Sequence, residues 1–246
     1  MVNRFNDGDS STNAANDEYA PADKGKINGG DIQGIIDKLD YLQSLGITSL
    51  WITPVLKNKN AYHGYHIVDF KDIDPHFGTI EKLRELVSKA HQREIAVIFD
   101  VVCNHTADLI SNTADVYTWN YPTGYTLKYT DNNFKHKPDY LANLDFFHNF
   151  GNIDGGWDDP IQGVMGDFFG LDDLKTENVE VQKILAYIYA WWILKTDCDG
   201  FRIDTVKHVN IEFFEYFIPY IKNVCSTVGK NNFFIFGEVW SDSDAK

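Results

Sequence analysis

The chain has 246 residues, a formal net charge of −14, 43% hydrophobic and 15% aromatic residues, so it can bury a sizeable core and should repel nucleic acid. Lys and Arg are scattered and form no basic patch to offset that repulsion, and no run of 18 apolar residues is available to span a bilayer. Three irregularly spaced cysteines, Cys103, Cys198 and Cys225, suit buried free thiols better than a disulfide framework or a zinc site.

Residues 1–5 read as the end of a strand whose start is missing; no leader is visible, and with the N-terminus looking cut that absence carries no weight. A polar loop follows over 6–26. Gly29-Gly30-Asp31 then opens a helix with Ile32, Ile35, Ile36, Leu39, Leu42 and Leu45 at helical spacing and Gly46 at its C-cap. An apolar strand over 47–53 ends at Pro54. An aromatic loop, Ala61-Tyr62-His63-Gly64-Tyr65-His66, precedes a helix over about 80–92. The continuous apolar run 95–102 is the mark of a strand buried on both faces. Residues 107–169 hold no sustained period and are too long for a plain loop, so they read as an inserted subdomain. Helix periodicity returns over 177–195, then a strand over 199–204, a helix over 211–228 capped by Asn210 and kinked by Pro219, and a buried strand over 233–238.

This alternation implies a parallel sheet with right-handed crossovers, either a (β/α) barrel or an open doubly wound sheet. A dinucleotide site would need its Gly-rich turn after the first strand. Gly29-Gly30-Asp31-Ile32-Gln33-Gly34 precedes a helix, but Asp31 would repel a phosphate and no Lys-Ser/Thr follows.

Arg202 and Asp204 lie two apart on one strand and therefore share a face, where the guanidinium should favour the ionised acid. An isolated Arg-x-Asp is usually a structural ion pair. Here Asn104 and His105 follow one strand, Arg202 and Asp204 end the next, and Glu238 ends a third. Three strands delivering polar groups to one rim is the pattern of a barrel active site. Glu238 follows Phe-Phe-Ile-Phe-Gly, an apolar setting that should raise its pKa, so the two acids are expected to differ in the way one nucleophile and one proton donor require.

Three segments, Asp100-Val101-Val102-Cys103-Asn104-His105, Gly200-Phe201-Arg202-Ile203-Asp204 with Lys207-His208, and Gly237-Glu238-Val239-Trp240, resemble the ordered signature regions of the α-amylase family of glycoside hydrolases. Ala61-Tyr62-His63-Gly64-Tyr65 and Leu171-Asp172-Asp173-Leu174 look like two further family stretches, and the overall pattern is similar to the bacterial α-amylase and cyclodextrin glucanotransferase branch. The resemblance implies a partial (β/α)8 TIM barrel running from the end of strand 1 to strand 5. Residues 1–106 and 170–246 would form the barrel domain, with 107–169 as domain B inserted after the third strand.

It implies retaining hydrolysis of α-1,4-glucosidic bonds in starch-like glucans, with Asp204 as nucleophile, Glu238 as acid/base, and Arg202, backed by Asp100, beside them. Tyr65 would stack on the sugar, His63 and His105 would bind its hydroxyls, and Lys207 and His208 would touch the leaving-group side. Calcium is the implied cofactor, held by Asn104, Asp173 and the His208 carbonyl, with a Val164 carbonyl as a further candidate. A second calcium site would draw on Asp7, Asp9, Asn13, Gly29 and Asp31, although Thr12 replaces an expected Asn there. A polymeric substrate and calcium favour an extracellular or periplasmic location. The family's third catalytic Asp and its sixth to eighth strands do not occur in these residues. The expectation is therefore a segment that lacks the second half of its barrel and, expressed alone, is inactive on starch and prone to aggregate. Alternatives are a glucanosyl transferase or cyclodextrin-acting relative, a non-catalytic amylase-like barrel, and a sugar-binding module without chemistry. Asp173 in Leu-Asp-Asp-Leu favours the calcium-type amylases over the neopullulanase-like branch.

Overall fold

The computed structural model describes residues 1–13, 19–59 and 61–240; part of the predicted loop over 6–26 lies outside them. In chain order the elements are α1 (Ile32–Asp37), α2 (Leu39–Ser44), β1 (Ser49–Ile52), β2 (Leu56–Asn58), β3 (Ile67–Ile73), α3 (Ile80–His91) and β4 (Ala96–Val101). They continue with β5 (Ile110–Asn112), β6 (Leu127–Tyr129), α4 (Gln162–Met165), α5 (Val179–Thr196), β7 (Gly200–Ile203), α6 (Ile211–Thr227) and β8 (Phe234–Gly237).

Four strands form a parallel sheet in the order β1-β4-β7-β8. Each new strand is added on the same side of the last. Right-handed crossovers then place every intervening helix on one face, as in a barrel wall and unlike a doubly wound sheet, whose order reverses. α3 packs on α5 and α5 on α6, forming that outer layer. α5 is apolar on almost every side because it is sandwiched, and its two polar tips find partners. Trp192 Nε1 donates to the Phe70 carbonyl at 2.8 Å, and the Tyr189 hydroxyl bridges the Val102 N–H and C=O at 3.0 and 2.7 Å. The second contact fixes the end of β4, from which Asn104 and His105 emerge.

Helix starts are set by local capping. Thr79 accepts from the Lys82 N–H at 3.2 Å and Asn178 from the Glu180 N–H at 2.8 Å. Between β4 and α5 the chain makes the β5–β6 hairpin, α4 and several tight turns. Asp172 holds them down: its buried carboxylate accepts from the Leu109 and Ile110 N–H groups at 2.8 and 3.0 Å.

Four local expectations are corrected. Residues Val2–Arg4 form a 3-10 turn, held by the Val2 N–H on Thr53 Oγ1 at 3.1 Å, not a strand end. The helix expected across 31–45 breaks at Lys38, and Leu45 on its far side is 58% exposed, since nothing packs there to reward continuing the stripe. The β2–β3 antiparallel pair occupies stretches, on either side of the aromatic loop, to which the sequence pattern assigned no element. Asn210 precedes α6 without capping it by its side chain, because its Oδ1 accepts from Thr176 Oγ1 at 2.8 Å.

Candidate active site

The parallel register pairs Asp100 directly with Arg202, and Arg202 with Phe236. Backbone bonds from Asp204 N to Val101 O (3.0 Å) and from Glu238 N to Ile203 O (2.8 Å) extend the same ladder one step past the strands. The carboxyl groups of Asp100, Asp204 and Glu238 therefore converge on one guanidinium. Arg202 Nη1 donates to Asp100 Oδ1 and Oδ2 at 2.8 and 3.0 Å and to Asp204 Oδ1 at 2.6 Å, while Nη2 reaches Glu238 Oε1 at 2.9 Å. Arg202, Asp204 and Glu238 line a cleft of about 500 Å³, together with Tyr65, His63, His105, Lys207 and His208. Every residue expected to be catalytic or to bind sugar is thus on one cavity.

The electrostatics differ from expectation in two respects. Burial pushes Asp204 up to about 7, reinforced by the Asp100 charge and opposed by Arg202, so sharing one cation among three acids leaves too little to hold Asp204 low. Glu238 is not in an apolar enclosure: its side chain is 41% exposed, ion-paired to Arg202, and accepts from the Thr205 N–H at 3.2 Å. Among the histidines, burial lowers His105 to about 3 and His63 to about 4, which keeps both neutral. His105 stacks parallel to Phe168 with ring centroids 5.5 Å apart, and its Nε2 is buried without a hydrogen-bond partner. The Tyr65 hydroxyl donates to Asp100 at 2.8 Å, fixing the ring's plane.

Lys207 pairs with Asp158, and His208 Nδ1 bonds the Gly163 carbonyl at 2.6 Å, so segment 156–169 is clasped to the barrel beside the cleft. That segment supplies residues the sequence reading passed over. Trp157 packs on Phe169 at 4.8 Å and edge-on to His208, and Phe169, 73% exposed, sits at φ +54. Thr205, next to Asp204, also has a positive φ of 47, an outlier for a β-branched residue of the kind strained sites retain. The aromatic richness of 107–169 was the available signal for Trp157 and Phe169; nothing in the sequence marks Thr205.

The residues expected to bind calcium fall in two places. Asp173 is buried, and burial raises it to about 7 even though His148 Nδ1 sits 2.6 Å from its Oδ2; the Asn104 carbonyl accepts from the neighbouring Leu174 N–H at 2.8 Å, and Val164 lies in α4. In the N-terminal loop Asn13 Nδ2 donates to Asp7 Oδ2 at 2.8 Å, while Asn13 Oδ1 has no partner. A Cβ on Gly29 would come within 2.7 Å of both that oxygen and Asp7 Oδ2. Asp9 and Asp31 are committed elsewhere. Asp9 accepts from Ser11 N and Oγ, and Asp31 caps α1 and accepts the Gly8 and Asp9 N–H groups. Among the described residues no three Asp, Glu, His or Cys side chains meet as a metal cage.

A one-way-wound parallel sheet with acidic and aromatic groups at its C-terminal rim defines a (β/α)-barrel of the enzyme type. The family model for the alpha amylase catalytic domain matches residues 1–246, and the chain belongs to that family. It is 37% identical to an alpha-amylase of Streptomyces lividans over 91% of this chain and 29% of that protein. It is 33% identical to a cyclomaltodextrin glucanotransferase of Klebsiella oxytoca over 100% of this chain and 37% of that one. The crystal structure of an Anoxybacillus alpha-amylase superposes with a TM-score of 0.77 at 39% identity, covering 98% of this chain and 46% of that one. The chain thus spans about a third of the length of these two sequence relatives and about half of that structure.

Proposed function

We propose that these residues form the part of an α-amylase-type glycosidase that carries two of its reacting groups, in a barrel domain of residues 1–106 and 170–246 with 107–169 inserted. Asp204 attacks the anomeric carbon of an α-1,4-linked glucan, and Glu238 protonates the departing oxygen and then activates water, with retention of configuration. The observation that carries this reading is the single guanidinium of Arg202 gripping Asp100, Asp204 and Glu238 at the mouth of the cleft. Two carboxyls on one guanidinium lie within the span of a sugar ring, as a double displacement demands.

Substrate binding supplies what the free site lacks. A glucan between the acids expels water from around Glu238 and loosens its contact with Arg202. The guanidinium is then left to the two Asp residues. Neutral His63 and His105 suit an uncharged polyol better than an anionic ligand, and the Tyr65 face offers a stacking surface.

Calcium fits the donors at both places. Asn104, Asp173 and the His208 carbonyl offer hard oxygens, and a divalent charge would offset the burial that raises Asp173 to about 7. In the N-terminal loop the unpartnered Asn13 Oδ1, Asp7 and the Gly29 carbonyl would hold the ion, without Asp9 and Asp31. In either place calcium would supply cross-linking between loops. The exported location expected of such an enzyme belongs to the same proposal.

The test uses the natural full-length protein. Glu238→Gln should lower turnover of a maltooligosaccharide by roughly 10²–10⁴-fold and Asp204→Asn by at least as much, with binding retained. Either variant keeping near-parental turnover would defeat the assignment. Substantial cyclic product from starch would favour the glucanosyl-transfer alternative, for which the Klebsiella relative speaks.

A further inference from the structure

Away from the cleft, the inserted segment carries a second group of rings. Trp119 and Tyr121 lie near-parallel, 11° apart in plane with centroids 5.9 Å apart, and Phe150 meets both edge-on at 5.8 and 5.1 Å. Tyr121 is 44% exposed and Tyr117, two residues before Trp119, 47%. No role in packing the barrel explains these rings, since none of them belongs to the core cluster.

The ledge is rigid. Asn120 N bonds Phe150 O at 2.8 Å, Gly124 N bonds Asn120 O at 2.8 Å, Tyr125 N and O pair with Asn149, and the Tyr125 hydroxyl donates to Thr118 O at 2.9 Å. Segment 117–118 approaches Gly151 so closely that a Cβ there would lie 2.5 Å from Thr118 O. Rings held this way lose little freedom on binding, which is what a preorganised site needs.

The ledge is also continuous with the cleft. Asn152 N bonds Tyr117 O at 2.8 Å, and Asn152 pairs in turn with Asp167, whose next residues, Phe168 and Phe169, line the cavity. Two ladder spacings put the backbone at Tyr117 about 10 Å from that at Asp167. Between them the buried Asn152 Oδ1 has no hydrogen-bond partner.

We infer that Trp119 and Tyr121, with Tyr117, form an outlying subsite that stacks on the pyranose faces of a long α-glucan whose reacting end lies in the cleft. Apolar ring faces suit the C–H faces of a sugar, and the same rings could stack nucleic-acid bases. Asp108 and Asp115 near Tyr117 and the net charge of −14 disfavour a polyanion and leave a neutral polymer as the fitting occupant. The inference rests on the proposed function, because it names the same substrate at a second place.

The experiment compares the full-length protein with Tyr121→Ala and with the Trp119→Ala/Tyr121→Ala pair, using soluble starch and, as the short-substrate control, a chromogenic maltotrioside. The expected result is a rise in KM for starch of about tenfold in the pair and less in the single variant, with kinetics on the maltotrioside unchanged. Unchanged KM for starch, or an equal loss on both substrates in both variants, overturns the subsite. Absence of turnover of either substrate by the parent defeats the functional reading instead.

Discussion

Replacing Asp100 by Asn tests whether the acids at the rim are coupled through Arg202. Asp100 is 5% exposed and takes Arg202 Nη1 on both oxygens, Trp51 Nε1 at 3.0 Å and the Tyr65 hydroxyl at 2.8 Å. Its Oδ1 and that of Asp204 bind the same nitrogen at 2.8 and 2.6 Å, so the two oxygens are within about 5 Å of each other. Two unit charges at that distance, in a medium of effective dielectric about 20, repel by about 3 kcal/mol, equivalent to about 2 pH units. Asp100→Asn should therefore move the titration of Asp204 from about 7 toward about 5, and the freed guanidinium pulls the same way.

The assay is kcat/KM against pH on a soluble maltooligosaccharide, whose acid limb reports free-enzyme groups that must be ionised. Turnover itself should fall, since Arg202 and Tyr65 lose a shared anchor, but the limb remains readable from the residual rate. A parallel measurement follows from linkage. Folded Asp204 keeps its proton up to about 7, whereas the unfolded carboxyl releases it near its ordinary value of 3.8. Between those values the unfolded chain binds fewer protons, so this group's contribution to stability falls as pH rises, by up to about 4 kcal/mol in the parent. In the variant that decline should shrink by roughly 60%. An acid limb that stays near pH 7 or moves to higher pH would refute the coupling.

Chelation should lower Tm if calcium cross-links the N-terminal loop, and Gly29→Ala should reduce that difference, because its Cβ would collide with Asn13 Oδ1 and Asp7 at a φ of +92; identical melts with calcium and with chelator would argue against the ion. His148→Leu removes the partner of a fully buried Asp173 and should cost about 3–5 kcal/mol, read by denaturant midpoint. A cost below 1 kcal/mol would mean that Asp173 is balanced by something else. Phe169→Gly should raise stability by about 1 kcal/mol by removing a left-handed non-glycine residue, while raising KM for glucans. Unchanged KM would free Phe169 from any part in binding.

The strands that carry the site were legible because burial on both faces demands unbroken apolar runs. β4 and β7 lie inside the expected 95–102 and 199–204. β8 was equally legible as a strand, yet its surroundings were not: Phe234 and Phe236 are 57% and 36% exposed on a sheet edge. A run of Phe says that a strand can be buried, not what covers it. β3 escaped because Asp69, Lys71 and Asp72 interrupt Ile67, Val68, Phe70 and Ile73, although the Val68-Phe70 alternation was there to be seen. Likewise the neighbour that lowers Asp204 is visible two residues away in sequence. The neighbours that compete for it, Asp100 and Glu238, arrive from other strands, and only the fold brings them together.

That convergence follows from register. In β4 and β7 the residues alternating with Asp100 and Arg202 are Phe99, Val101, Phe201 and Ile203, all buried on the helix side, where Phe201 packs edge-on to Tyr189 of α5. A slip of one residue in β7 would turn Arg202 and Asp204 toward α5 and Phe201 and Ile203 into the cleft. Burying those charges away from Asp100 and Glu238 would cost several kcal/mol per ion, on the scale of the whole stability of a domain. The apolar pattern that makes the sheet fold in one register is thus the same pattern that fixes three carboxyls on one guanidinium. A core substitution on the helix side, such as Phe201→Ala, should disturb the pH profile as well as the melting point, even though it touches none of the reacting groups.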